Sequence, residues 1–258
     1  MKYLLNICHL YPDLMDTYGD KGNITTVIKR CKWRGINTKV TGLSIGQPLS
    51  TDDFDFYFFG GGQDRNQVIV GRDLQTKAKY LKKAVENGTV ILSICGGYQL
   101  LQKYFKTKVG QTIQGIGLFD AYSQGSDTRM IQNLLIELNP QIAHEIKNSY
   151  PTLHSQFPIL NLIGFENHSG KTFLDPNVQP LGKVVKGAGN NGQDQTEGAV
   201  YKNAFGCYLH GSLLPKNPHF ADYLITKALE RKYGEIKLKA LDDTFEWNAH
   251  QQAIKKIH

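Results

Sequence analysis

The chain has 258 residues, 40% of them apolar, and carries 30 Lys and Arg against 23 Asp and Glu, a formal charge of +7. That length and apolar share support a well-buried core in one large domain or two small ones. No apolar run approaches the roughly 18 residues of a membrane helix and the early stretch from Tyr3 to Cys8 is broken by Asn6, so neither export nor spanning is indicated and the cytoplasm is the expected compartment.

The basic residues are interleaved with acids instead of forming a tract, so most read as solvated surface and not as a nucleic-acid footprint. Cys8, Cys31, Cys95 and Cys207 make no CxxC pair. Zinc binding and dithiol redox chemistry therefore have no sequence support, and free thiols fit a reducing compartment.

Along the chain, β-like runs at 3–9, 39–43, 54–59 and 89–94 alternate in part with helical patterns. Ile24, Ile28 and Cys31 share a helical spacing that ends at Gly35. Leu74, Ala78, Leu81 and Val85 form a second apolar face, stopped by Asn87 and Gly88. The pattern predicts an α/β fold with a parallel sheet and helices on both faces, whose ligands gather beyond the carboxyl ends of the strands. From about residue 110 the texture becomes β-rich, with runs at 131–138, 160–165, 181–185 and 198–201, and then a helix carrying Phe220, Tyr223, Leu224, Ala228 and Leu229. Without a Pro-rich or Gly/Ser linker, one domain over 1–235 is expected, with 236–258 as a tail whose last dozen residues are weakly ordered. Residues 139–158 read as an excursion between two strands.

Two glycine motifs suggest nucleotides and do not support them. "GAGNNG" (187–192) fits GxGxxG, but no helix follows to receive a pyrophosphate, so a turn between strands is expected. "GFENHSGKT" (164–172) has five residues between Gly164 and Gly170 where a P-loop has four, and Pro176 soon blocks a long helix.

"VILSICGGYQLLQ" (90–102) is more informative. An apolar strand, one cysteine, two glycines and a helical pattern describe a strand–turn–helix elbow that holds Cys95 out of the top of a sheet. The N-terminus of a helix beginning near Tyr98 would favour a thiolate, and its free N–H groups could receive an oxyanion. The "GGG" loop at 60–62, at the end of the neighbouring strand, could supply a second donor. The plainer reading of a lone cysteine, a small buried hydrophobe, suits Cys8, Cys31 and Cys207. Among eight histidines, His210 in "CYLHGSLLP" ends an apolar run before a glycine and is the favoured base. His9 and His168 are structural or pocket-lining, and the other five read as surface.

"FGGGQDR", "ICGGYQLL", "GFENHSGKT" and "YLHGSLLPKNP", in this order, resemble the class I (triad) glutamine amidotransferases, in the branch shared with cobyric acid synthases. With "YGDKGN" (18–23), "GAGNNG" and "LLPKNP", the resemblance is closer to glutaminase subunits of lipid II isoglutaminyl synthases, the GatD type, and spans roughly residues 3–233. It implies a flavodoxin-like class I glutaminase fold: a central, mostly parallel sheet with helices on both faces and a β-rich C-terminal half. It also implies Cys95 as nucleophile, His210 as acid and base, Gly61 and Gly96 as the oxyanion hole, Arg129 for the glutamine α-carboxylate and Gln99 as a pocket wall.

No metal or cofactor is implied for this chain. ATP and Mg are expected on a Mur-ligase-type synthetase partner, in a heterodimer that amidates D-glutamate of lipid II in peptidoglycan synthesis. The positive charge suits work beside an anionic membrane. The alternatives are a glutaminase for a cobyric acid-type amidation and a non-catalytic binding module. Ser212 stands where many relatives carry an acid two positions after the histidine. The third triad member is therefore expected from elsewhere in the chain or, as the favoured choice, from the partner.

Overall fold

The computed structural model describes residues 3–50, 54–149 and 160–257. In chain order, β1 (Leu4–Leu10), β2 (Asn37–Leu43), β3 (Phe56–Phe59) and β4 (Val90–Ile94) begin the first sheet, with α1 (Lys21–Trp33) and α2 (Asp64–Glu86) between them. The short α3 (Gly96–Leu101) leads into β5 (Tyr104–Lys106), β6 (Thr112–Gln114) and β7 (Ala121–Leu138). Then follow α4 (Pro140–Ser149), β8 (Asn161–Leu174), β9 (Gly182–Lys186) and β10 (Thr196–Glu197). β11 (Ala199–Tyr201) and β12 (Ala204–Cys207) return to the first sheet, and α5 (Pro218–Tyr233) and α6 (Thr244–Lys255) close the chain.

The first sheet has the order β11-β12-β4-β3-β1-β2. All neighbours are parallel except β11 with β12. Side-chain alternation divides its apolar residues between two cores. Phe56 and Phe58 join Leu5, Ile7, Val90 and Leu92 against α1 and α5. Tyr57 and Phe59 join Cys8, Leu10 and Ile91 against α2, through Val70, Leu74 and Leu81. Both faces are covered, which is why these strands read as continuous apolar runs. The second sheet is built on β7, which pairs antiparallel with β8 along most of its length and with β9 at its C-terminal end, and parallel with β5. The expected mostly parallel sheet, with helices on both faces and a β-rich second half, is what the chain forms.

"GFENHSGKT" lies entirely within β8, and "GAGNNG" is a turn after β9 with Gly187, Gly189 and Gly192 at positive φ. Part of the excursion, 140–149, is α4; residues 150–159 lie outside the described residues. Two expectations are corrected. The final residues are not a loose tail: α6 stacks Trp247 on His219, and His250 Nδ1 donates to Lys216 O at 2.8 Å. His219 and His250 are accordingly buried and not surface residues. No helix among the described residues is long and apolar enough to cross a membrane.

Candidate active site

Parallel pairing brings three strand ends to one edge. Phe59 is in register with Ser93, and Ile94 with Cys207, so the loops after β3, β4 and β12 leave the sheet side by side. Cys95 occupies the elbow after β4 with φ 50° and ψ −106°, a conformation that non-glycine residues seldom adopt. Its N–H donates to Cys207 O at 2.8 Å, which ties the elbow to β12. The side chain is partly exposed, whereas the other three cysteines are buried. Burial pushes the Cys8 and Cys31 thiols up to about 12 and Cys207 well above its usual value, so these three are inert at neutral pH.

The glycines of the elbow are required by contact. A methyl group built on Gly97 would lie 2.5 Å from Phe59 O, and one built on Gly96 would lie 2.9 Å from Gly62 N. A methyl on Gly61 would meet His210 Cε1 at 2.8 Å. Cysteine elbow, glycine loop and histidine thus pack backbone against side chain without space for a Cβ. Helix α3 begins at Gly96, two residues before the expected start, and is only six residues long.

His210 is fully buried and held at both ends. Its backbone exchanges hydrogen bonds with Phe165 of β8, N to O at 2.9 Å and O from N at 3.1 Å. Its Nδ1 lies 3.1 Å from Asp20 Oδ1, itself fully buried. Cys95 is its other side-chain partner. Burial alone would lower the imidazole pKa. The Cys95 sulfur and Asp20, by charge and hydrogen bonding, outweigh this and hold it at about 10.

Asp20 was missed by sequence reasoning. It precedes α1 in the position of an N-cap, yet its carboxylate makes no capping bond. Instead Oδ1 faces His210 and Oδ2 accepts the Gly61 N–H at 2.8 Å. Thr17 of the same loop donates its N–H and hydroxyl to Gly61 O, at 3.1 and 2.9 Å. Ser212, in the place where an acid was sought, donates its hydroxyl to Gly19 O at 2.5 Å and so pins the loop that carries Asp20. The only advance signal was "YGDKGN", noted for its resemblance alone. An acid from a partner was the favoured expectation; this chain itself places Asp20 beside His210. Glu197, also fully buried, accepts the Tyr208 N–H at 2.5 Å, and burial raises its carboxyl to about 8.

Gly61 also departs from its expected part. It lies beside Cys95 and His210, but its N–H is directed at Asp20, not at the space above the sulfur. The next N–H of the loop, that of Gly62, lies against Gly96. The Gly97 N–H is bonded to Gly60 O at 3.1 Å.

A cleft of about 300 Å³ opens over these residues, and Gln99, Arg129 and His168 line it with Cys95 and His210. Gln99 is buried, its amide accepting from Gln67 Nε2 and donating to the Tyr208 hydroxyl, both at 3.1 Å. Arg129 lies within the register shift of the β7–β8 pairing, and its Nε donates to Asn167 Oδ1 at 2.8 Å. His168 stacks on Tyr208 at 3.5 Å, with Nδ1 2.8 Å from Gly170 O. His9 packs on Phe58 and is not a cleft residue. A larger cavity of about 730 Å³ is lined by neither cysteine nor histidine. The chemistry favours the smaller one.

Residues 6–218 match the CobB/CobQ-like glutamine amidotransferase domain. The chain is 39% identical to the GatD subunit of the glutamine-hydrolysing lipid II isoglutaminyl synthase of Streptococcus pneumoniae, over 93% of this chain and 87% of that protein. It is 36% identical to the GatD subunit of Staphylococcus aureus, over 98% and 96%. A cobyric acid synthase of Clostridium botulinum is 30% identical over 70% of this chain and 37% of that one. The crystal structure of a glutamine amidotransferase superposes with a TM-score of 0.53 at 13% identity, covering 86% of this chain and 98% of that one, which supports the fold alone. With a matching domain over most of its length, the chain belongs to the CobB/CobQ-like glutamine amidotransferase family.

Proposed function

We propose that the chain is the glutaminase subunit of a lipid II isoglutaminyl synthase, hydrolysing L-glutamine to glutamate and ammonia. The observation that carries the reading is the Cys95–His210–Asp20 arrangement at the floor of a cleft sized for a small amino acid. Asp20 accepts from Nδ1–H and thereby aims Nε2 at the sulfur. The imidazole is protonated because Cys95 and Asp20 raise its pKa, so a proton is in place for the leaving nitrogen.

The thiolate attacks the side-chain amide carbon of glutamine, and the carbonyl electron pair moves onto oxygen to give a tetrahedral oxyanion. In this reading the N–H groups of Gly96 and Gly62 receive that charge. As the intermediate collapses, His210 gives its proton to the departing nitrogen, the C–N bond breaks and ammonia leaves a thioester. The now neutral His210 takes a proton from water, the hydroxide attacks the thioester, and collapse of the second oxyanion releases glutamate and the thiolate. Arg129 holds the α-carboxylate at the cleft rim, and Gln99 forms a wall.

The ammonia passes to a Mur-ligase-type synthetase in a heterodimer, which uses ATP and Mg to amidate D-glutamate of the lipid II stem peptide. Similarity over nearly the full length of both GatD relatives supports this acceptor over a cobyric acid-type one, where little more than a third of the relative is matched. The test is transfer of amide-¹⁵N from glutamine to lipid II by this chain with such a synthetase, ATP and Mg. Label transfer should vanish in Cys95→Ala, while added ammonium should restore amidation of lipid II without the label. Transfer that survives Cys95→Ala, or none at all from glutamine, contradicts the reading.

A further inference from the structure

We propose that Asp64 is a specificity-determining residue of this cleft, receiving the α-ammonium of the substrate while Arg129 receives its α-carboxylate. The cleft then selects a free amino acid amide over an N-acylated or deaminated one. The inference rests on the glutaminase reading above and deepens it.

The argument starts from the distribution of charge. Among the described residues that line the cleft, Asp64 is the one carboxylate and Arg129 the one arginine or lysine. The reacting pair lies at the other end, with His210 fully buried and Cys95 only partly exposed, whereas Asp64 and Arg129 are exposed. A glutamine whose amide carbon reaches the sulfur therefore presents its α-carbon to the mouth. That carbon bears one cation and one anion, and the mouth offers one anion and one cation.

Position supports the assignment. Asp64 is the first residue of α2, directly after the loop of Gly60 to Gly62, so it is fixed to the same backbone that packs against Cys95. Arg129 comes from β7 in the other sheet and is oriented by Asn167. The two charges feel each other across the cleft, yet loss of hydration still raises the Asp64 carboxyl above its usual value. Arg129 alone does not compensate that loss, and a substrate ammonium supplies the missing counter-charge.

The test compares Cys95-dependent ammonia release from L-glutamine and from glutaramate, which lacks the α-amino group, by the full chain and its Asp64→Asn and Asp64→Glu variants. The unmutated chain should prefer L-glutamine by about tenfold or more in kcat/KM, the size expected for one charge-assisted hydrogen bond. Asp64→Asn should raise KM for L-glutamine by a similar factor, change kcat far less, leave KM for glutaramate unaltered and so erase the preference; Asp64→Glu should restore part of it. A preference that persists in Asp64→Asn, or a KM that rises equally for both amides, overturns the assignment. Absence of Cys95-dependent release from both amides in the unmutated chain overturns instead the glutaminase reading beneath it.

Discussion

Asp20 divides its carboxylate between two partners, His210 Nδ1 through one oxygen and the Gly61 N–H through the other. Removing its charge while keeping its shape tests the first role. Asp20→Asn should lower kcat for glutamine hydrolysis by about 10²–10⁴-fold, because the amide no longer fixes the imidazole tautomer or stabilises the imidazolium.

The pH dependence has a definite sign. His210 is held above its ordinary value of 6.5, at about 10. Its pairing therefore contributes stability in full below pH 6.5, and the contribution is lost as pH rises through about 10. Acylation needs the protonated imidazole, so kcat/KM should fall on the same alkaline limb. In Asp20→Asn that limb should move to lower pH, and a limb that stays in place contradicts the coupling.

Cys95 was legible because its elbow is local: strand, two glycines and helix are contiguous in sequence. Asp20 was not, because it lies 190 positions from His210 and an aspartate ahead of a helix reads as a cap. Only the tertiary fold shows that the cap is unused.

At the scale of elements, the glycine loop after β3 acts as a spacer between nucleophile and histidine. Gly61→Ala should drive a methyl group into His210 Cε1 and cost about 100-fold in kcat, the order of effect expected for displacement of about 1 Å, with a smaller change in KM. A variant with unchanged kcat would show that the loop yields without disturbing the site.

The C-terminal helices are fastened by a buried ion network. Arg30 of α1 bonds Asp222 of α5 and Asp243 ahead of α6, at 2.6 Å each, and Arg34 also reaches Asp222 at 2.6 Å. Asp222→Ala leaves the buried Arg30 short of its inner partner and should cost about 3–5 kcal/mol, lowering Tm by roughly 10 °C in a thermal melt. A melt within about 2 °C of the unmutated chain contradicts that estimate.

The strands of the first sheet were legible from apolar runs buried on both faces. β7 was expected only over 131–138 because the stretch through Gly125 and Asp127 is polar and carries no β-like apolar run. That stretch is a register shift within one 18-residue strand. α6 was missed because its apolar residues are few, and its order comes from Trp247 and His250 meeting α5 and the segment before it.

At the scale of the whole molecule, the cleft is a joint between two sheets. The first supplies Cys95 and His210 on its strand ends, and the second supplies Arg129 and His168 from β7 and β8. The Phe165–His210 bridge holds the sheets together at the catalytic residue itself. A partner that shifts one sheet against the other would therefore act on the site directly, without contributing a residue. The family was legible from spaced motifs, whereas the assembly of the site from loops at residues 20, 61, 95 and 210 required the fold.

Because the acid is in this chain, glutamine hydrolysis should not depend on a partner for its third residue. The decisive measurement is ammonia release from L-glutamine by the purified chain alone and with a Mur-ligase-type synthetase, for the unmutated protein, Cys95→Ala and Asp20→Asn. The account predicts release by the isolated chain that is abolished in Cys95→Ala and falls at least 100-fold in Asp20→Asn, in both states. An isolated chain that is inert, together with an Asp20→Asn complex as active as the unmutated one, would contradict it and return the third residue to the partner.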